Sequence, residues 1–146
     1  DEEKRKLLAA DVKRKEDEKK RQLAAQAAFE KEKEMRNNWP RYVRVGSYEI
    51  KGDDQVKPFS IPVSNGFLVP VENVTLRADY LKKEKLVGTE ILNLSNISPR
   101  STQNILAAGN KKGKRVNVYI TGISSRKLHF CYPVNNGNMA DPYYCK

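Results

Sequence analysis

Residues 37–40, Asn-Asn-Trp-Pro, divide the chain into two parts with different periodicities. Asparagine is common where a helix ends, and the residue before a proline is driven into extended geometry. Residues before this break include neither glycine nor proline, whereas apolar and polar residues alternate after it. The break therefore predicts a charged helical stalk over residues 1–37 and a β-sandwich domain over residues 38–146.

The first part is rich in Lys, Glu, Ala, Gln and Leu, which are strong helix formers. Opposite charges recur three or four positions apart, a spacing that supports a solvated helix. A heptad frame that places Leu8 and Val12 at a seam also places Lys15 and Lys19 there, which makes a poor coiled coil. We expect a mostly single, water-exposed helix, and assembly through this helix remains an alternative.

The second part predicts seven short strands with turns every 8 to 12 residues, the pattern of a sandwich or barrel. Pro62 demotes the second strand to an edge or a short strand, and the phase change at Leu92 and Leu94 suggests a bulge. The expected fold is mainly β, an immunoglobulin- or fibronectin-like antiparallel sandwich. The predicted strands cover residues 41–50, 59–63, 71–81, 86–94, 101–107, 115–123 and 127–132.

The net charge of +10 is concentrated after the break, where residues 38–146 hold 16 of the 28 basic and 8 of the 18 acidic residues. Such a balance favours anionic partners, although it also suits a soluble protein without an anionic ligand. Two basic clusters fall in predicted hairpin loops and are candidate anion-binding loops. They comprise Lys82, Lys83, Lys85, Lys111, Lys112, Lys114 and Arg115. The alternative interpretation is that these residues are charged loop tips that keep the domain soluble.

Cys131 and Cys145 are the only cysteines, and their spacing suits a small disulfide-closed loop. In the chain-entropy model such a loop contributes about 3 kcal/mol. A disulfide would imply an oxidising compartment, whereas two reduced thiols would suit the cytosol. Tyr132, Tyr143 and Tyr144 surround the cysteines and form either a partner surface or a tail that seals the sandwich edge.

Residue types that carry catalysis are sparse. The single histidine, His129, is expected to face solvent or a rim, and no third group is placed to orient a pair with Cys131. Asp53 and Asp54 are loop carboxylates, but they are more simply a hairpin turn than a metal site. Asp141-Pro142 is a turn signal. We therefore expect no catalytic residue, no metal, no cofactor and no enzymatic activity.

Several segments after residue 59 resemble an uncharacterised domain of envelope proteins from Gram-negative bacteria. The resemblance lies in residues 63–66, 74–80, 96–101 and 113–120, and above all in residues 123–132, which end in Leu-His-Phe-Cys-Tyr, with Asp-Pro-Tyr-Tyr-Cys at 141–145. It implies an extracytoplasmic β-sandwich that often follows a membrane helix and a charged linker. It implies no activity and no site residues.

Three functions remain open at this stage. The first is a non-enzymatic envelope interaction module, extracytoplasmic and anchored to a membrane by an upstream segment, with a protein or another envelope component as its partner. The chain starts without Met and in the middle of a helical pattern, and we therefore expect it to be a fragment of a longer protein. The second is a cytosolic nucleic-acid-binding protein that uses the basic loops. The third is a structural subunit that assembles through its helix, in an oligomeric state the sequence does not define.

Overall fold

A computed structural model describes residues 1–52 and 54–146, so the turn expected at Asp53 lies outside the described residues. One helix is followed by a short 3₁₀-helix at Trp39–Arg41 and by seven strands. The elements are α1 (Glu2–Asn37), β1 (Val43–Val45), β2 (Phe59–Asn65), β3 (Val71–Lys82), β4 (Lys85–Ile97), β5 (Ser101–Ala107), β6 (Arg115–Ser125) and β7 (Phe130–Tyr132).

The described chain forms two compact units, Asp1–Glu34 and Met35–Lys146. In the first unit no side chain is buried, and leucines such as Leu7 are exposed by 71%. Its ion pairs, such as the one between Arg14 and Asp11, join residues three apart on the helix. The order of this unit therefore comes from helix propensity and local charge pairs. Nowhere in the described residues is a helix long and apolar enough to cross a membrane.

The second unit contains two antiparallel sheets, which confirms the predicted mainly-β sandwich after a long helix. One sheet has the order β1-β2-β5 and the other has the order β4-β3-β6-β7. In constant-type immunoglobulin domains the fourth strand lies in the same sheet as the first, second and fifth strands. Here β4 pairs with β3 in the other sheet, so the strand order differs from that arrangement.

The core lies between the sheets and is filled by alternate residues. In β3 the buried apolar residues include Val74, Leu76, Ala78 and Tyr80, the face that the alternation predicted. It packs with alternate residues of β2, including Ile61. Burying a side chain of this size is worth about 1.5–3 kcal/mol, and such residues recur along most strands.

The predicted bulge is confirmed and lies in the β4 strand. Tyr80 pairs with Gly88 while Leu81 pairs with Leu86, so Val87 is the extra residue. The inserted residue places Val87 out of phase with the buried leucines Leu92 and Leu94, whereas Ile91 lies on the exposed face of the regular part of the ladder.

The expectation for Pro62 was wrong, because β2 is the central strand of its sheet. The carbonyl of Pro62 accepts a hydrogen bond from the amide of Gly46, just beyond the end of β1. Backbone N–H and C=O groups of one strand residue point to the same side in an antiparallel ladder. The N–H group that Pro62 lacks would therefore point to the β1 side of β2, at a position where β1 has already ended.

The first and last predicted strands were too long. β1 keeps only Val43–Val45, because the described residues between it and β2, 46–52 and 54–58, contain no strand. β7 keeps Phe130–Tyr132, because residues 126–129 form a turn in which His129 has a φ of 50°.

Candidate functional site

The C-terminal loop is closed by a disulfide between Cys131 and Cys145, as the spacing predicted. The amide of Cys131 donates to the carbonyl of Tyr143 at 2.9 Å, and the amide of Cys145 donates to that of His129 at 2.9 Å. These two hydrogen bonds hold the last residues as an extra extended segment beside β7. The segment therefore covers a strand that would otherwise be an open edge.

A buried ion pair lies against this loop. The guanidinium of Arg36 donates from Nε to Oδ1 of Asp141 at 3.0 Å and from Nη2 to Oδ2 at 2.7 Å. Its Nη1 donates to the carbonyl of Leu128 at 2.9 Å, and the two side chains are 0% and 5% exposed. This two-pronged geometry belongs to the strong class of charge-assisted hydrogen bonds.

Sequence reasoning missed this pair. Arg36 reads as one more basic residue of a solvated helix, and Asp141 before a proline reads as a turn signal. No sequence spacing connects residues 105 positions apart. One signal was available, because Asp141 lies between the two cysteines and so inside the loop that the disulfide closes.

The three tyrosines are half-buried in the same region. The Tyr132 ring lies 4.6 Å from that of Trp39 and 5.2 Å from that of Tyr143, measured between centroids. Tyr144 stacks on His129 at 5.5 Å and lies 5.0 Å from the guanidinium of Arg36. This packing favours the interpretation that the tail seals the sandwich edge, and the partner surface stays a prediction.

The two predicted basic loops meet at one end of the sandwich. Lys83 and Glu84 form a two-residue turn between β3 and β4, with φ values of 51° and 64°. Leu81 pairs with Arg115, so the loop before β6 lies beside this turn. We call this surface the basic end, and its members are exposed: Lys82, Lys83, Lys85, Lys111, Lys112, Lys114 and Arg115.

One carboxylate lowers the charge of the basic end. Glu84 accepts a hydrogen bond from Arg115 at 2.8 Å, an exposed pair of the kind that contributes little to stability. The loop before β6 is shaped by Asn110, whose Oδ1 accepts from the amides of Lys112 and Gly113. The lysines therefore extend from a loop whose backbone is held in place, and their amines remain at the surface.

Tyr80 and Asp79 have perturbed pKa values, and both form hydrogen bonds that stabilise the fold. Tyr80 is buried and its hydroxyl donates to Oε1 of Glu90 at 2.6 Å; burial and this carboxylate raise the pKa of the phenol above its ordinary range. The hydrogen bond from Arg77, at 2.7 Å, lowers the pKa of Asp79 despite the opposing effect of burial. Thr89 also donates to Asp79. Glu90 and Asp79 thus already accept hydrogen bonds from neighbouring strands and loops.

The remaining candidates are a metal site, His129 and a small depression beside the disulfide. Within the described ranges, no three His, Cys, Asp or Glu side chains come together to hold a metal ion. His129 is exposed, as expected, but it lies in a turn rather than in a strand. A depression of about 250 Å³ beside the disulfide is lined by Glu72, Arg126 and Lys146 together with His129. This volume is smaller than the roughly 300–1,000 Å³ of common small-molecule sites.

No protein-family model, no curated protein and no solved structure matches this chain.

Proposed function

We propose that this chain is a non-enzymatic interaction module of the bacterial cell envelope, located outside the cytoplasm. The observation that carries the proposal is the disulfide between Cys131 and Cys145, together with the buried pair of Arg36 and Asp141 beside it. Structural disulfides persist in oxidising compartments and are rare in the cytosol. The resemblance to envelope domains supports the same location and an upstream membrane anchor.

A binding role is supported by where the ionisable groups lie. The carboxylates in the sheets, Glu72, Asp79 and Glu90, are engaged in hydrogen bonds that hold strands and loops together. Seven exposed cations lie together at the basic end. Charged rims of this kind steer and select partners more than they add affinity. We propose that the partner is an acidic protein or another acidic envelope component.

The location is tested by trapping thiols in the native host with an alkylating reagent under denaturing, non-reducing conditions. We expect the cysteines to be blocked until reductant is added, and the protein to fractionate with the envelope. A variant with both Cys131→Ser and Cys145→Ser is the matched control, because it carries no thiol to label. Free thiols in a wholly cytosolic product would overturn the proposal.

The partner is tested with a photo-crosslinking residue placed at position 112 in the basic end. A discrete cross-linked protein band is expected there, and it should weaken when Lys82 and Lys83 are both changed to glutamine. The same residue at position 13, on the exposed surface of α1, is the control. Equal products from both positions, or none from position 112, would contradict a partner at the basic end.

Nucleic-acid binding is the second candidate, and the meeting of the two basic loops at one end is the observation that favours it. Affinity that rests on phosphate contacts falls steeply with salt, by about 10³–10⁵ between 50 and 200 mM when six to ten phosphates are neutralised. Filter binding of single- and double-stranded DNA at those two salt concentrations decides it. Absence of binding at 50 mM salt rules this candidate out.

Assembly through α1 is the third candidate. The exposed apolar side chains of the first unit, among them Leu7, Leu8 and Leu23, are what would drive it. Sedimentation velocity over a hundredfold range of concentration should show a rising mass if it occurs. A constant monomer mass at the highest concentration would remove this candidate.

A further inference from the structure

A second basic surface lies at the end of the sandwich opposite the basic end. Strand β3 runs from Val71 at this end to Lys82 at the other, roughly 36 Å at about 3.3 Å per residue. The depression here has a volume of about 420 Å³. Its lining includes the arginines Arg41, Arg44 and Arg100 and the hydroxyl-bearing residues Ser64, Ser101 and Thr102, and none of its lining residues is acidic. We call it the arginine depression.

Three of these lining residues form a row across one face of the three-stranded sheet. Arg44 pairs with Ser64, and Ser64 pairs with Thr102, so the three residues lie side by side on β1, β2 and β5. The neighbours Val63 and Asn65 are buried, which places the row on the outer face. The hydroxyls of Ser64 and Thr102 are 2.9 Å apart and hydrogen-bonded. The row therefore presents one guanidinium and two hydroxyls in fixed register.

A buried asparagine holds the rim of the depression in place. Oδ1 of Asn65 accepts from the amide of Phe67, and its Nδ2 donates to the carbonyls of Val69, Ile97 and Ser98. These bonds join the loop after β2 to the turn between β4 and β5. Asn65 is thus a positioning residue for the turn that carries Arg100.

Arg100 itself has a left-handed backbone, with a φ of 54°, which is uncommon for a residue other than glycine. Its amide donates to the carbonyl of Phe67, and the hydroxyl of Ser101 donates to that of Ser98 at 2.6 Å. The turn is therefore defined by several hydrogen bonds, and it keeps an arginine at the rim of the depression.

The three arginines differ from Arg77 and Arg115 elsewhere in the domain. Arg77 and Arg115 each form an ion pair with a carboxylate. Among residues 1–52 and 54–146, no carboxylate lies within ion-pair distance of Arg41, Arg44 or Arg100, and the described hydrogen bond of Arg44 goes to a backbone carbonyl. Three uncompensated guanidinium groups around one polar depression leave positive charge that an anion can neutralise.

We propose that the arginine depression binds a phosphate group, carried either by a small soluble ligand or by a lipid headgroup. Guanidinium groups bind phosphate oxygens through two parallel hydrogen bonds, and hydroxyl donors complete such sites. The site is distinct from the basic end, whose lysines act as mobile point charges on hairpin loops. The proposal does not depend on the cellular location proposed above.

The test is a titration of the ¹⁵N-labelled 146-residue chain with inorganic pyrophosphate, followed by NMR, with phosphatidylglycerol and phosphatidylcholine vesicles as separate arms. We expect saturable shifts of the amides of Gly66, Ser101 and Thr102 with pyrophosphate for a soluble ligand. Selective binding to phosphatidylglycerol vesicles with little response to pyrophosphate would instead assign the phosphate to a lipid headgroup.

Two variants of equal charge change decide which surface is responsible. Arg41→Gln, Arg44→Gln and Arg100→Gln together should weaken binding at least tenfold in whichever arm responds. Lys82→Gln, Lys83→Gln and Lys112→Gln together should change it by less than threefold. All six side chains are exposed, so the spectra of both variants should keep the dispersion of the native fold. No saturable binding in any arm, or equal weakening by both variants, would overturn the proposal.

Discussion

The helix before Met35 and the sandwich after it contain ion pairs of the same chemistry in opposite environments. Arg14 and Asp11 form a pair on an exposed helix surface, where water competes for both charges. Arg36 and Asp141 form a pair that is almost fully buried and joins residues 105 positions apart. α1 therefore depends on local helix preference until its last turn, where Arg36 becomes part of a folded domain.

The largest expected effect comes from removing one side of the buried pair. Arg36→Met should destabilise the second unit by about 3–5 kcal/mol, because it leaves the Asp141 carboxylate buried without its partner. Arg14→Met is the matched control in the first unit and should cost less than about 0.5 kcal/mol. Urea unfolding followed by Trp39 fluorescence compares the effects of the two substitutions on the stability of the second unit. Equal, small effects would mean that the buried pair does not hold the C-terminal loop.

Opening the disulfide should have the next largest effect. With the cysteines 14 positions apart, changing both to alanine should cost about 3 kcal/mol in the chain-entropy model. The transition to measure is the thermal unfolding of the second unit, with and without reductant. The helical signal of the first unit should not respond to reductant, since residues 1–34 contain no cysteine. A domain whose transition is unchanged by reduction would contradict the role given to the loop.

The turn at the basic end offers a gain in stability. Lys83 and Glu84 both adopt positive φ, the geometry of a type I′ hairpin turn that favours Asn-Gly. Replacing them by asparagine and glycine should stabilise the domain by about 1 kcal/mol, after loss of the exposed pair with Arg115. A rise in the urea midpoint with an unchanged slope would confirm this. A lower midpoint would show that the native turn is not strained.

The smallest expected effect is a pH dependence that comes from Asp79. Its pKa is held below the ordinary value, chiefly by the hydrogen bond from Arg77, so the carboxylate stabilises the fold above the pKa of the unfolded chain, about 3.9. That stabilisation is lost as the pH falls through the lower pKa of the folded state. Asp79→Asn and Arg77→Gln should each make stability less dependent on pH between 5 and 2. An unchanged slope in both variants would contradict the assignment.

Much of the fold could be predicted because its signals are local. The break at residues 37–40, the alternation in β3 and the phase change in β4 each reflect the geometry of a few neighbouring residues. The sequence separation of the cysteines predicted their bond for the same reason. That a central strand tolerates Pro62 could not be predicted, since this tolerance depends on where the neighbouring strand β1 ends.

The candidate sites were less predictable, because they bring together distant residues. The two basic loops could be listed from the sequence, but their meeting depends on the pairing of β3 with β6. The arginine depression combines residues from the 3₁₀-helix, three strands and the turn before β5, and no spacing in the sequence connects them. Arg36 was assigned to a solvated helix, because a helical pattern contains no information about which turn becomes buried.

Amide hydrogen exchange of the full chain under native conditions tests the comparison most directly. The amides of Val74 to Tyr80 and of the last turn of α1, including Arg36, should exchange only through global unfolding of the second unit. Those of residues 6–30 should exchange orders of magnitude faster, because a single solvated helix opens locally. Equal protection of residues 6–30 and β3, or fast exchange at Arg36, would contradict the account.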